Sequence, residues 1–155
     1  PTCMISTVPT ANPTNASSIT YIFEFSEEVV DFTESDIKVT NGSKGEFSGS
    51  KNKYELVVTN SGSCTQTVSI AEGVCTDKAG NKNKQLEMTI VVDRVAPVLS
   101  SINVTSPKTG TYKEGQVITI VSAYSEKIYG NNSKCFTNSG SKPECNFYRH
   151  CCVRK

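Results

Sequence analysis

The sequence predicts an all-β fold, and three observations carry that prediction. Short runs alternate apolar and polar residues at the period of half-buried strands. Turns rich in Asn, Gly, Ser and Thr separate them, and helical patterning is poor. One strand plan also occurs twice: residues 19–27 (ITYIFEFSE) and 118–126 (ITIVSAYSE) share their alternation and their Ser-Glu ending, about a hundred residues apart. That period is the size of a β-sandwich, so the chain reads as one module followed by the start of another.

The elements follow in order. A first strand is expected near residues 3–7, and 9–17, with Pro9, Pro13 and several Asn and Thr, reads as a turn. The strongest strand signal is 19–25, where Ile19, Tyr21, Phe23 and Phe25 share one face and so define which face is buried. Residues 36–40 form a third strand, stopped by Asn41-Gly42, a dipeptide suited to the positive φ of a tight turn. Phe47 marks a short strand. Residues 54–58 and 65–70 alternate again around a turn at 60–63, and Leu86, Met88, Ile90 and Val92 close the module near Asp93. About seven short strands with regular turns is the pattern of an immunoglobulin-like sandwich, and residues 1–94 hold enough apolar surface to fold alone. Val95-Ala96-Pro97 is the expected boundary, stiffened by proline. Residues 95–134 read as the N-terminal part of an incomplete second immunoglobulin-like module: strand 98–104, turn 105–115, strand 117–124.

Composition narrows the function. Sixteen basic and fifteen acidic residues leave a net charge of +1, giving no electrostatic case for nucleic acid or an anionic membrane. No apolar run approaches the roughly 20 residues of a membrane span, no targeting segment is visible, and the chain is expected to be a piece of something longer. Seven cysteines point to an oxidising compartment, and the odd count leaves one unpaired within the chain. Asn15, Asn41, Asn103 and Asn131 head glycosylation sequons, meaningful only on a eukaryotic secretory route.

Several segments resemble a known family. FSEEV at 25–29, FTESDIKVTNG at 32–42, GVCTDKAGN at 73–81 and VDRVAP at 92–97 are similar to the recurrent motifs of bacterial Ig-like repeats, the tandem domains of biofilm-associated and adhesin-type surface proteins. The resemblance covers residues 1 to about 134. It departs where cysteine replaces small residues and where the second repeat stops short. It implies an extracellular or cell-surface spacer or adhesion module rather than an enzyme. Its implied partners are neighbouring repeats of the same chain, and surface proteins or glycans.

Strand alternation itself singles out candidate ligands. The start of the first strand, the end of the second and the end of the sixth share one pole, which carries Glu27, Glu28 and Asp31 in one loop and Asp77 and Asn81 in another. Clustered carboxylates and carbonyls at a domain junction suit Ca²⁺, which takes roughly 6–8 oxygen ligands, and the same logic within this chain pairs Asp93 with Glu126. Calcium is the candidate cofactor. The alternative is that these acids are solvated, with Asp77 capping its own turn. The start of the first strand and the end of the sixth also put Cys3 and Cys75 near the same pole, whereas Cys64 and Cys75 bracket an extended strand and cannot meet. A Cys3–Cys75 disulfide and three reduced thiols are both consistent with the sequence.

Residues 135–155 hold four cysteines and His150, the sole histidine, without alternation. They read either as a Cys-rich appendage, disulfide-bonded or zinc-binding through Cys145, His150, Cys151 and Cys152, or as the misread end of a gene model. The spacing is poor for zinc. No catalytic constellation stands out: His150 has no evident scaffold, Glu27 and Glu28 point to opposite faces, and no phosphate loop or nucleophile elbow is present. Two other functions stay open, a carbohydrate-binding accessory module of a secreted enzyme and a small ligand or inhibitor formed by the tail. The absence of Trp counts against the first of these.

Overall fold

Alternation decides where the core lies. In the computed structural model, which describes residues 1–106 and 119–127, the chain divides after Val95 into two compact units. In the first, β2 (Ser18–Phe25) turns Ile19, Tyr21, Phe23 and Phe25 inward, each 2% exposed or less. Its neighbour β5 (Lys53–Thr59) is antiparallel and sets Val58, Leu56 and Tyr54 directly opposite Ile19, Tyr21 and Phe23. Such cross-strand apolar pairs are what hold a register. With β1 (Cys3–Val8) and β4 (Ser43–Ser50) they make a four-stranded sheet in the order β1-β2-β5-β4. The second sheet has β3 (Ile37–Thr40), β6 (Cys64–Ile70) and β7 (Leu86–Val92) in the order β3-β6-β7, and its Ile37, Val68, Ile70, Ile90 and Val92 complete the core. The described residues are all-β, and these two sheets form the immunoglobulin-like sandwich.

Two elements differ from expectation. β4 runs for eight residues instead of a short stretch at Phe47. It is an exposed edge strand held by backbone pairing to β5, so it carries almost no apolar signal. Gly49 within it has φ +133°, and a Cβ there would lie 2.4 Å from the Lys53 carbonyl oxygen. Asp36 sits outside β3, in a 3₁₀ turn (Glu34–Asp36), because its Oδ2 accepts the Thr33 N–H at 2.8 Å.

The expected turn after β1 also pairs. The Thr14 N–H donates to Val91 O at 3.0 Å and Thr14 O accepts the Asp93 N–H at 2.8 Å, in a bridge parallel to β7. The Asn12 side chain accepts the Val91 N–H at 3.0 Å. The chain thus steps from the first sheet to the second before β2 begins.

Strand direction then assigns the poles. The chain enters where Thr2 O accepts the Ser26 N–H at 2.8 Å. It leaves the unit at the other end, where the Arg94 N–H donates to Ser63 Oγ at 2.8 Å and its guanidinium to Asn60 O at 3.2 Å. Entry and exit lie at opposite poles.

The second unit contains β8 (Leu99–Ser106) antiparallel to β9 (Thr119–Tyr124), closed by Ser125 N–H to Val98 O at 2.8 Å. β8 extends past the expected strand end, and most of the expected turn at 105–115 lies outside the described residues. So do Asn131 and all readings of 135–155, including Cys145, His150, Cys151 and Cys152. Among the described residues no helix is long and apolar enough to cross a membrane.

Candidate functional site

The entry pole gathers three loops: residues 26–36, the β4–β5 hairpin and the β6–β7 loop. Backbone bonds bring them together, with Val29 N–H to Lys51 O at 3.0 Å and Val30 N–H to Thr76 O at 2.8 Å. Side chains continue the work. Glu28 Oε2 lies 2.8 Å from the Lys78 ammonium and Oε1 lies 3.6 Å from that of Lys51, one residue from each loop. Lys78 and then Lys51 hold the Glu28 carboxyl below its usual range, while Glu28 in turn raises Lys78. All three are solvent-exposed, so the pairs orient the loops more than they stabilise the fold.

Asp77 closes its own turn. Oδ1 accepts the Ala79 and Asn81 N–H groups at 2.8 and 2.9 Å, and Oδ2 accepts the Asn81 amide at 2.7 Å. Gly80, at φ +86°, supplies the left-handed step that returns the chain toward Asp77. Both carboxylate oxygens are engaged, and the hydrogen bonds from Asn81, then Ala79, hold the Asp77 carboxyl below its ordinary 3.8. The sign is that of a depressed carboxylate. Its contribution is present above the unfolded-chain value and is lost as pH falls through the lower native one. Below about 3.8 the melting temperature of the wild type is therefore expected to fall more steeply than that of Asp77→Asn, measured by circular dichroism across an acid series. Equal slopes would remove Asp77 from the acid sensitivity.

Glu27 lies 3.5 Å from the Pro1 nitrogen. Asp31 is exposed in the same loop at φ +62°. Asp93 stands at the exit pole, its Oδ1 accepting the Val95 N–H at 3.1 Å. Glu126 belongs to the second unit, where its Oε1 is buried with no hydrogen-bond partner among the described residues. The structure brings Glu27, Glu28, Asp31, Asp77 and Asn81 to one pole and Asp93 to the other. Among the described residues no group of three His, Cys, Asp or Glu converges to hold a metal.

Sequence reasoning passed over Asn83, the organiser of the β6–β7 loop. It is fully buried, its Oδ1 accepts the Cys75 N–H at 3.0 Å, and its Nδ2 donates to Ala71 O at 2.8 Å and Lys84 O at 3.0 Å. An asparagine in a polar loop looks solvated in a sequence, and no local spacing marks it as an internal strut.

The exit pole has a polar cleft of ≈ 400 Å³ lined by Asn41, Ser43, Thr59, Asn60, Ser61 and Ser63 among others. Beneath it Tyr21 donates to Gln66 Oε1 at 2.7 Å, and Gln66 Nε2 donates to Asn60 Oδ1 and to Asn41 O. Burial, with Cys64 nearby, pushes the Tyr21 hydroxyl up to about 12, so it stays a donor at any physiological pH. Cys3, Cys64 and Cys75 are all free thiols.

A two-sheet sandwich whose entry-pole loops are tied to one another is an immunoglobulin-like domain. The chain belongs to the bacterial Ig-like domain family, whose model matches residues 1–92. No curated protein and no solved structure matches the chain. Domains of this family are non-catalytic and structural, typically on extracellular or surface proteins.

Proposed function

We propose that this chain is an extracellular spacer or adhesion module of a cell-surface or secreted protein, joined in series to neighbouring repeats. The observation that carries the reading is the placement of entry and exit at opposite poles of the first unit, the geometry of a bead in a linear array. Chain ends at one pole would make a side-branch, whereas ends at opposite poles extend a stalk by one strand length or more per module.

Calcium is a finer part of this proposal, and Glu126 supports it best. Its buried, unpartnered Oε1 is where a cation has most to offer, while the oxygens of Glu28 and Asp77 already have partners. The alternative, a carbohydrate-binding module, rests on the exit-pole cleft and its hydroxyl and amide groups, though none of the residues lining it is aromatic.

A glycan array with the full chain, run in calcium and in chelator alongside thermal melts of wild type and Glu126→Gln, tests the reading. The expected result is no retained glycan, and a calcium-dependent rise in melting temperature that Glu126→Gln loses. Saturable binding of one glycan class would overturn the spacer reading in favour of the alternative. Identical melts in calcium and chelator would remove calcium and leave the spacer.

A further inference from the structure

We propose that Cys3 and Cys75 are an oxidation site: when the chain folds in an oxidising compartment they join as a disulfide that locks β1 to the β6–β7 loop. Cys3 is opposite Phe25 in the β1–β2 register and packs against the core, and Cys75 is a core residue 2% exposed. Backbone bonds fasten the neighbours of both to one place. Thr2 O accepts from Ser26 at 2.8 Å and Thr76 O accepts from Val30 at 2.8 Å, so both cysteines flank anchors on the same short loop. Asn83 donates to Cys75 O at 3.0 Å while the adjacent Lys84 donates to Pro1 O at 3.1 Å, a second bridge between the two segments.

Cys64 is excluded by the same geometry. It starts β6 at the exit pole, where its Sγ donates to Asn41 O at 3.4 Å, and the strand separates it from the entry pole by about 20 Å. The two entry-pole thiols also feel one another. Burial first, and then the Cys75 sulfur, pushes the Cys3 thiol up to about 12, and burial raises Cys75 as well.

That environment sets the timing. A thiolate, not a thiol, attacks a disulfide, so the pair is slow to react once buried and reacts from the folding chain instead. The oxidant is a small-molecule disulfide such as oxidised glutathione. One cysteine thiolate attacks it, forming a mixed disulfide and releasing one small thiol. The second cysteine thiolate then attacks the protein sulfur of that mixed disulfide, forming the Sγ–Sγ bond and releasing the second small thiol. The two cysteine protons end on the released thiols, so the protein loses two electrons and the oxidant gains them.

The test uses the full chain with Cys64→Ser, refolded from denaturant in a glutathione redox buffer, alkylated and mapped without reduction. The expected result is a cross-linked peptide pair joining Cys3 to Cys75, whatever bonds the four cysteines of residues 135–155 form among themselves, together with a melting temperature on the order of 20 °C above that of the reduced protein, because the bond closes a loop of about seventy residues. Cys3→Ser in the same background keeps the fold and loses both the cross-link and the rise. Recovery of Cys3 and Cys75 as separate alkylated peptides would overturn the proposal, as would an oxidant-dependent rise that persists in Cys3→Ser. The oxidant is supplied in the assay, so neither outcome depends on the spacer reading.

Discussion

Phe32→Ala is expected to destabilise the first unit by about 3–5 kcal/mol, the range for removing a buried Phe from a packed core. With a urea dependence of about 2 kcal/mol per molar, the midpoint moves down by roughly 2 M. The reason is position. Phe32 sits in the loop before β3, 6% exposed, and its ring meets four others edge-on: Phe25 and Tyr54 at 5.0 Å, Phe23 at 6.0 Å and Phe47 at 6.1 Å. It reaches inward from the entry pole to rings on three strands of the first sheet, so alanine leaves a hole that rigid strands close poorly. Phe32→Leu retains most of the volume and is expected to cost less than half as much. A midpoint shift below about 0.5 M for the alanine variant would show that the loop collapses onto the gap, and that Phe32 is not a keystone.

Asn83→Ala is expected to lower stability by about 2–4 kcal/mol although it removes hardly any apolar contact. Three side-chain hydrogen bonds disappear, and the Cys75 N–H is left without its acceptor beside a buried side chain. An unsatisfied buried donor costs more than the bond it has lost, because water cannot replace the partner. The specific readout is amide exchange. Exchange at Cys75 should accelerate far more than exchange at Val68 or Ile90 in the neighbouring strands, because the loop loosens before the sheets do. Uniform acceleration at all three would mean that the amide supports the whole sandwich instead of its loop.

Ile19, Tyr21, Phe23 and Phe25 show why the sandwich was legible in the sequence. Four large apolar residues at period two define a strand and its buried face, and the matching strands at 54–58, 65–70 and 86–92 follow from the same rule. β4 was largely hidden because an exposed edge strand needs only backbone partners, and Ser, Gly and Lys supply those without leaving a pattern. Phe32 and Asn83 escaped for a related reason, since loop residues that turn inward have no periodicity to betray them. The pole carrying Glu28 and Asp77 was placed correctly from strand direction, yet the partners of those carboxylates could not be read. Lys51 and Lys78 come from other loops, and Asp77 is held through backbone N–H groups, which every sequence possesses.

Tension along a stalk would act on the short bridge at Thr14 in a particular way. Force entering at Pro1 and leaving at Arg94 runs nearly along the strands, pulling the Thr14 segment toward the entry pole and the end of β7 toward the exit. The bonds from Thr14 to Val91 and Asp93, and from Val91 to Asn12, lie across that line. They are therefore loaded together in shear, and none can be peeled ahead of the others. A hairpin pulled from its open end gives way one rung at a time, whereas this clasp must slip as a unit. A proline-rich stretch that reads in the sequence as a mere turn thereby becomes the catch that resists extension.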